Sequence, residues 1–144
     1  MLGPLLFLIF INDLHEDLIN LILKFADDTK LYGKVGNATQ VESMHKDLEL
    51  LSKWSKTWGL EFNVGKCKVI HFGKDNPITV YDINGSNVKV VKEEKDLGII
   101  VNQDLKVANQ CAVAVKAANR SLGLIKRTFT SRNKAIIVRL SLFV

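Results

Sequence analysis

Three observations predict an α+β fold, with an antiparallel sheet and helices packed on one of its faces, followed in the chain by basic helices. Apolar residues recur at helical spacing from Val41 to Trp58. Short apolar runs flank turn-forming pairs at Asp27-Asp28, Val64-Gly65 and Asn84-Gly85. Basic residues gather late: from Val101 onward eight Lys or Arg face Asp104 alone, so this segment carries +7 of charge and the first hundred residues −2.

Taken in order, Pro4 suits the first turn of a helix running through Leu18. The run Leu5 to Ile11 has no basic leader and no small-residue cleavage site. It is also far shorter than the ~20 apolar residues a membrane span needs, so it reads as a buried helix and no membrane partner is expected. Residues 21–26 and 29–35 read as two strands joined at Asp27-Asp28. Thr39 and Glu42 have the spacing of a capping box. Val41, Met44, Leu48, Leu51, Trp54 and Trp58 then form one helix face, with Glu42, Lys46, Asp47, Lys53 and Lys56 elsewhere, up to Gly59. Both tryptophans read as core residues; stacking on a base is the alternative. Residues 60–64 and 66–72 suggest a second strand pair, 80–83 and 88–91 a hairpin about Asn84-Gly85, and 97–101 a further strand. Residues 105–129 read as a helix, and 132–144 as the start of another.

On the helix over 105–129, Val115, Ala118, Leu122, Ile125 and Phe129 fall in one arc, while Lys116, Arg120 and Arg127 lie roughly opposite. A one-sided basic stripe suits phosphate contacts. A solvated helix face accounts for the charge count equally well.

Cys67 and Cys111 form no CxxC pair, and His15, His45 and His71 are scattered. Neither pattern suggests zinc or a disulfide framework, so a reducing intracellular compartment, cytoplasmic or nuclear, is expected. Both cysteines read as small buried hydrophobes.

Paired carboxylates at a hairpin bend suit hard divalent cations, because Mg²⁺ takes one or two carboxylates and completes its shell with water and phosphate oxygens. Apolar Ile22, Leu23, Phe25 and Leu31 flank the pair, and small Ala26 leaves room for a nucleic-acid backbone. Four residues of this kind recur by chance in many proteins. Their surroundings add weight. Leu2-Gly3-Pro4-Leu5-Leu6-Phe7-Leu8-Ile9-Phe10-Ile11-Asn12-Asp13-Leu14 is followed by Lys24-Phe25-Ala26-Asp27-Asp28-Thr29-Lys30-Leu31. Trp54 and Trp58, Gly59-Leu60-Glu61-Phe62-Asn63-Val64-Gly65-Lys66-Cys67, Phe72-Gly73, Ile83-Asn84-Gly85 and Lys95-Asp96-Leu97-Gly98-Ile99 come next. In this order the blocks resemble the reverse transcriptases of LINE-type (non-LTR) retrotransposons, most of all the jockey/CR1-type branch.

The resemblance implies a partial palm over residues 1–101 and a thumb-like segment over 102–144. Asp27 would be the main hairpin ligand of Mg²⁺ (or Mn²⁺), with Asp28 in support, two ions being bound in the complete family site. Phe25 and Ala26 would lie beside primer and template. Lys66 would be a general acid for the departing pyrophosphate, although its chemistry alone fits an ordinary exposed strand lysine. Leu97 and Gly98 match the primer-grip hairpin, where Asp96 replaces the usual aromatic. Lys116, Arg120 and Arg127 would face the template–primer duplex. The implied partners are an RNA template, a DNA primer and deoxynucleoside triphosphates. A further carboxylate, the fingers and an upstream palm segment belong to the family and are not found in these residues, so the chain alone is expected to be an inactive polymerase fragment. A non-catalytic nucleic-acid-binding module and a functionless retroelement remnant are the alternatives.

Overall fold

The structure, a computed structural model, describes residues 2–128. The chain divides into two compact units, Met1–Lys92 and Glu93–Val144. Both contain helix and short strands, so the α+β class holds.

In the first unit, helix α1 (Leu2–Phe10) stops well before Leu18. Asn12 and Asp13 carry short polar side chains that compete with the backbone, and Asn12–His15 tightens into a 3₁₀ turn. The Asp13 carboxylate accepts from Trp54 Nε1 at 3.0 Å. The helix is not buried as its apolar sequence suggests. Leu2 and Ile9 are 73% and 72% exposed, and only Ile11 and Leu14, just beyond it, are buried.

Strands β1 (Leu21–Phe25) and β2 (Asp28–Tyr32) pair antiparallel, from Leu21 opposite Tyr32 to Phe25 opposite Asp28. The bend is therefore Ala26-Asp27, and Asp28 already belongs to β2.

Helix α2 (Ala38–Trp58) is capped two residues before the predicted cap. Asn37, extended at φ −146° and ψ 168°, accepts the Gln40 N–H on its side chain at 2.9 Å. Gln40 Oε1 reaches back to the Gly36 N–H at 2.8 Å. Asn caps more strongly than Thr, and these two bonds take the place expected for Thr39 and Glu42. The helix ends at Gly59 as predicted, in the left-handed region at φ 66°. Ser55 is fully buried there and donates to the Leu60 carbonyl at 2.6 Å. Trp54 is half-buried, but Trp58 is exposed, with the Phe10 ring edge-on at 5.6 Å.

Residues 60–72 do not form the predicted strand pair. The Asn63 carbonyl accepts from both Lys66 N and Cys67 N, a local turn that leaves only β3 (Lys68–Val69) extended. That strand pairs in parallel with β6 (Lys89–Val90). Between them, β4 (Asp82–Ile83) and β5 (Ser86–Asn87) form the predicted hairpin about Asn84-Gly85. Among the described residues the strands make four two-stranded ladders, three of them antiparallel, rather than one continuous sheet.

In the second unit, β7 (Glu93–Asp96) and β8 (Ile99–Asn102) form a hairpin about Leu97-Gly98. Leu105, at φ 53°, lies in a turn, so helix α3 starts only at Ala108 and is described to Thr128. Asn102 bridges the gap: its Oδ1 accepts from Lys106 N at 2.9 Å and its Nδ2 donates to the Lys106 carbonyl. Gln110 Oε1 accepts from Ile100 N, and Asn109 Nδ2 donates to Glu93 Oε2, so the first turns of α3 are tied to the hairpin. Phe129 and the helix predicted over 132–144 lie outside the described residues.

Candidate metal-binding hairpin and nucleic-acid contacts

Period-two alternation gives β1 two distinct faces. Leu21, Leu23 and Phe25 are exposed, while Ile22 and Lys24 turn inward. The Lys24 ammonium donates to the Ile11 carbonyl at 2.9 Å and the Asn12 carbonyl at 3.0 Å, and lies 3.3 Å from His15 Nδ1.

The base of the hairpin is held by an acid that the sequence pattern did not single out. Asp47, in α2, is fully buried. Its Oδ1 accepts from Ile19 N at 2.9 Å, and its Oδ2 from Asn20 N at 2.7 Å and Asn20 Nδ2 at 2.9 Å. Three donors on one carboxylate satisfy the residue and fix the chain where β1 begins. Gly33 follows β2 at this same base, where a Cβ would collide with Met44 Cε and Asn20 Oδ1. The signal for Asp47 was present in the helix angles: at about 100° per residue it falls between Trp54 and Trp58, on the apolar arc rather than with Glu42, Lys46, Lys53 and Lys56. An acid on a core-facing arc needs buried donors, and Ile19 and Asn20 supply them.

Beyond this clamp, Phe25, Ala26, Asp27 and Asp28 all come together, exposed, at the free end of the hairpin. Ala26 takes a left-handed conformation, φ 50°, which a non-glycine residue adopts at a cost of about 1–2 kcal/mol. Two adjacent exposed carboxylates can hold one Mg²⁺ that keeps most of its water. Among the described residues no three His, Cys, Asp or Glu side chains converge in a metal-binding group. The residues present therefore fit a single hydrated cation, not a pair of ions in fixed geometry.

Lys66 is exposed within the Asn63 turn, its backbone N–H on the Asn63 carbonyl at 2.9 Å. No hydrogen bond or ion pair joins its side chain to Asp27 or Asp28. Cys67 beside it is half-buried; it donates to the Asn63 carbonyl, and burial pushes its thiol pKa up. Cys111, expected to be buried, is exposed.

In the second unit, Leu97 (φ 45°) and Gly98 (φ 87°) form the exposed bend of β7–β8. On α3, Lys116, Arg120 and Arg127 are all exposed, and the helix's buried residue, Ile125, lies on the opposite arc. Val115 and Leu122 of that same apolar arc remain exposed. No helix of the described residues is long and apolar enough to cross a membrane.

No curated protein and no solved structure matches the chain. The family model described as reverse transcriptase (RNA-dependent DNA polymerase) matches residues 1–108, which include the acidic hairpin, its clamp and the β7–β8 bend. The chain belongs to the reverse transcriptase family.

Proposed function

We propose that this chain is the portion of a LINE-type, jockey-like reverse transcriptase that carries the acidic palm hairpin and a thumb-like helix, with residues 1–101 as palm and 102–144 as thumb. The observation that carries the reading is the gathering of Phe25, Ala26, Asp27 and Asp28 at the exposed end of a clamped hairpin, inside the matched residues. Asp27, with Asp28, holds the divalent cation. When bound, that cation supplies positive charge to phosphoryl oxygens. Phe25 and Ala26 flank the primer end, and Lys66 serves the departing pyrophosphate. Leu97 and Gly98 contact the primer strand, and Lys116, Arg120 and Arg127 pair with phosphates of the template–primer duplex. The substrates of the complete activity are an RNA template, a DNA primer and deoxynucleoside triphosphates. Two carboxylates cannot fix two ions, so nucleotidyl transfer needs a further carboxylate beyond those of this hairpin, and these 144 residues alone are inactive.

Primer extension with the purified chain tests this. No product is expected with Mg²⁺ or Mn²⁺; extension that Asp27→Asn abolishes would overturn the inactivity. The exposed stripe on α3 also favours a second reading, a non-catalytic nucleic-acid-binding module. Binding to an RNA–DNA duplex should weaken steeply with salt. The logarithmic slope should fall by about 0.9 for each of Lys116→Ala, Arg120→Ala and Arg127→Ala, since each removes one cation from a phosphate. Absence of binding at low salt would exclude both the thumb assignment and the module.

A further inference from the structure

Lys24 lies one residue before the exposed end of the acidic hairpin, opposite Thr29 in the ladder. It is a lysine on the inward face of β1, where Ile22 is its apolar neighbour in the alternation. Its ammonium sits at the partly exposed edge of that face and can donate three hydrogen bonds. It finds the Ile11 carbonyl at 2.9 Å and the Asn12 carbonyl at 3.0 Å. With His15 as the Nε2–H tautomer, Nδ1 at 3.3 Å is the third. These carbonyls lie in the 3₁₀ turn that follows α1, where the Ile11 carbonyl also accepts from Leu14 N at 3.3 Å, and the second lone pair of a carbonyl oxygen can take a cation's N–H. Asp47 fixes the chain at Ile19 and Asn20, on the far side of β1 from the carboxylates. Lys24 bonds from within β1, three residues before Asp27.

We infer that Lys24 is a positioning residue: its ammonium moors β1 to the turn that follows α1 and so fixes the direction in which Asp27 and Asp28 present their carboxylates. The metal-binding part of this inference rests on the function proposed above; the ordering part does not. Charge and positioning predict opposite signs. Removing a cation near two carboxylates strengthens divalent-cation binding by Coulomb attraction alone. Loosening the hairpin end weakens it, because the carboxylates must then be ordered on binding.

The test is a Mn²⁺ titration of the full chain, followed by paramagnetic broadening of the Ala26, Asp27 and Asp28 amides, together with their ¹⁵N order parameters. Lys24→Met should raise the Mn²⁺ midpoint at least threefold and lower the order parameters from about 0.85 to below about 0.6. Lys24→Arg, which keeps the donors, should stay within twofold of the wild type. Lys24→Gln is shorter but still hydrophilic; it should follow Lys24→Met, and it carries the test if the methionine variant does not fold. Unchanged order parameters, or a tighter midpoint, in the folded variants would overturn the role of Lys24. An unchanged midpoint in Asp27→Asn would instead overturn the metal-site reading, and the order parameters would then decide on Lys24 alone.

Discussion

At the bend of β1–β2 the left-handed residue is Ala26, φ 50°; at the bend of β4–β5 it is Asn84, φ 53°, followed by Gly85 at φ 76°. Asn and Gly tolerate this region and Ala does not. The bases differ as well. The β4–β5 hairpin is held by buried Tyr81 and Val88, joined by a 2.8 Å bond from Val88 N to the Tyr81 carbonyl. The acidic hairpin is held by the polar clamp of Asp47 and by Lys24. One hairpin therefore has favourable turn chemistry and an apolar base. The other has strained turn chemistry and a base made of directed hydrogen bonds. Strain of this kind persists only where the surroundings over-determine it, and it concentrates at functional sites.

The largest way to break this contrast is Asp47→Ala. It leaves two backbone N–H groups without their acceptor, each costing about 1–3 kcal/mol, and removes one of the two bonds of Asn20 Nδ2, which keeps Ser43 Oγ. Urea unfolding should show a loss of about 3 kcal/mol or more, with the Ile19 and Asn20 amides losing hydrogen-exchange protection first. A loss below about 1 kcal/mol would mean that the clamp is not what holds the hairpin.

Exchanging the turn chemistry has a smaller effect and runs in opposite directions. Ala26→Gly should stabilise the chain by up to about 1 kcal/mol, relief of the left-handed strain outweighing the added freedom of the unfolded chain. Asn84→Ala should destabilise it by about the same amount. Equal signs in the two thermal melts would remove the contrast.

The smallest effect is on pH. Burial raises the Tyr81 phenol pKa. The Thr79 side chain opposes the shift weakly, without the geometry of a full hydrogen bond. A group whose folded pKa is raised contributes stability below its unfolded pKa and loses it as pH rises. Above about pH 10 the β4–β5 hairpin should therefore loosen, and Tyr81→Phe should abolish that alkaline loss. An unchanged alkaline limb in Tyr81→Phe would place its cause elsewhere.

Features written in local chemistry were readable from the sequence. The helical period of α2, its stop at Gly59, the Asn84-Gly85 bend and the acidic hairpin each depend on residues within a turn or two of one another. The cap of α2 was displaced because Asn37, a better capping residue than Thr39 and two positions earlier, accepts from Gln40 N while Gln40 reaches back to Gly36 N. Long-range features were not readable. The acceptors of Lys24 lie 12 and 13 residues away, and the donors to Asp47 lie 27 and 28 residues away. The parallel pairing of β3 with β6 spans residues that look, locally, like a hairpin. The exposure of α1 could not be read from its composition, since an apolar helix predicts burial wherever a partner covers it.

Among the described residues β1 pairs with β2 alone, and its outward row of Leu21, Leu23 and Phe25 is bare. Its other edge therefore offers backbone donors and acceptors alongside an uncharged apolar stripe. Such an edge is a template for adding a strand from another molecule. In concentrated solution self-association should start at β1, so the residues that display the carboxylates also set how far the purified protein can be concentrated.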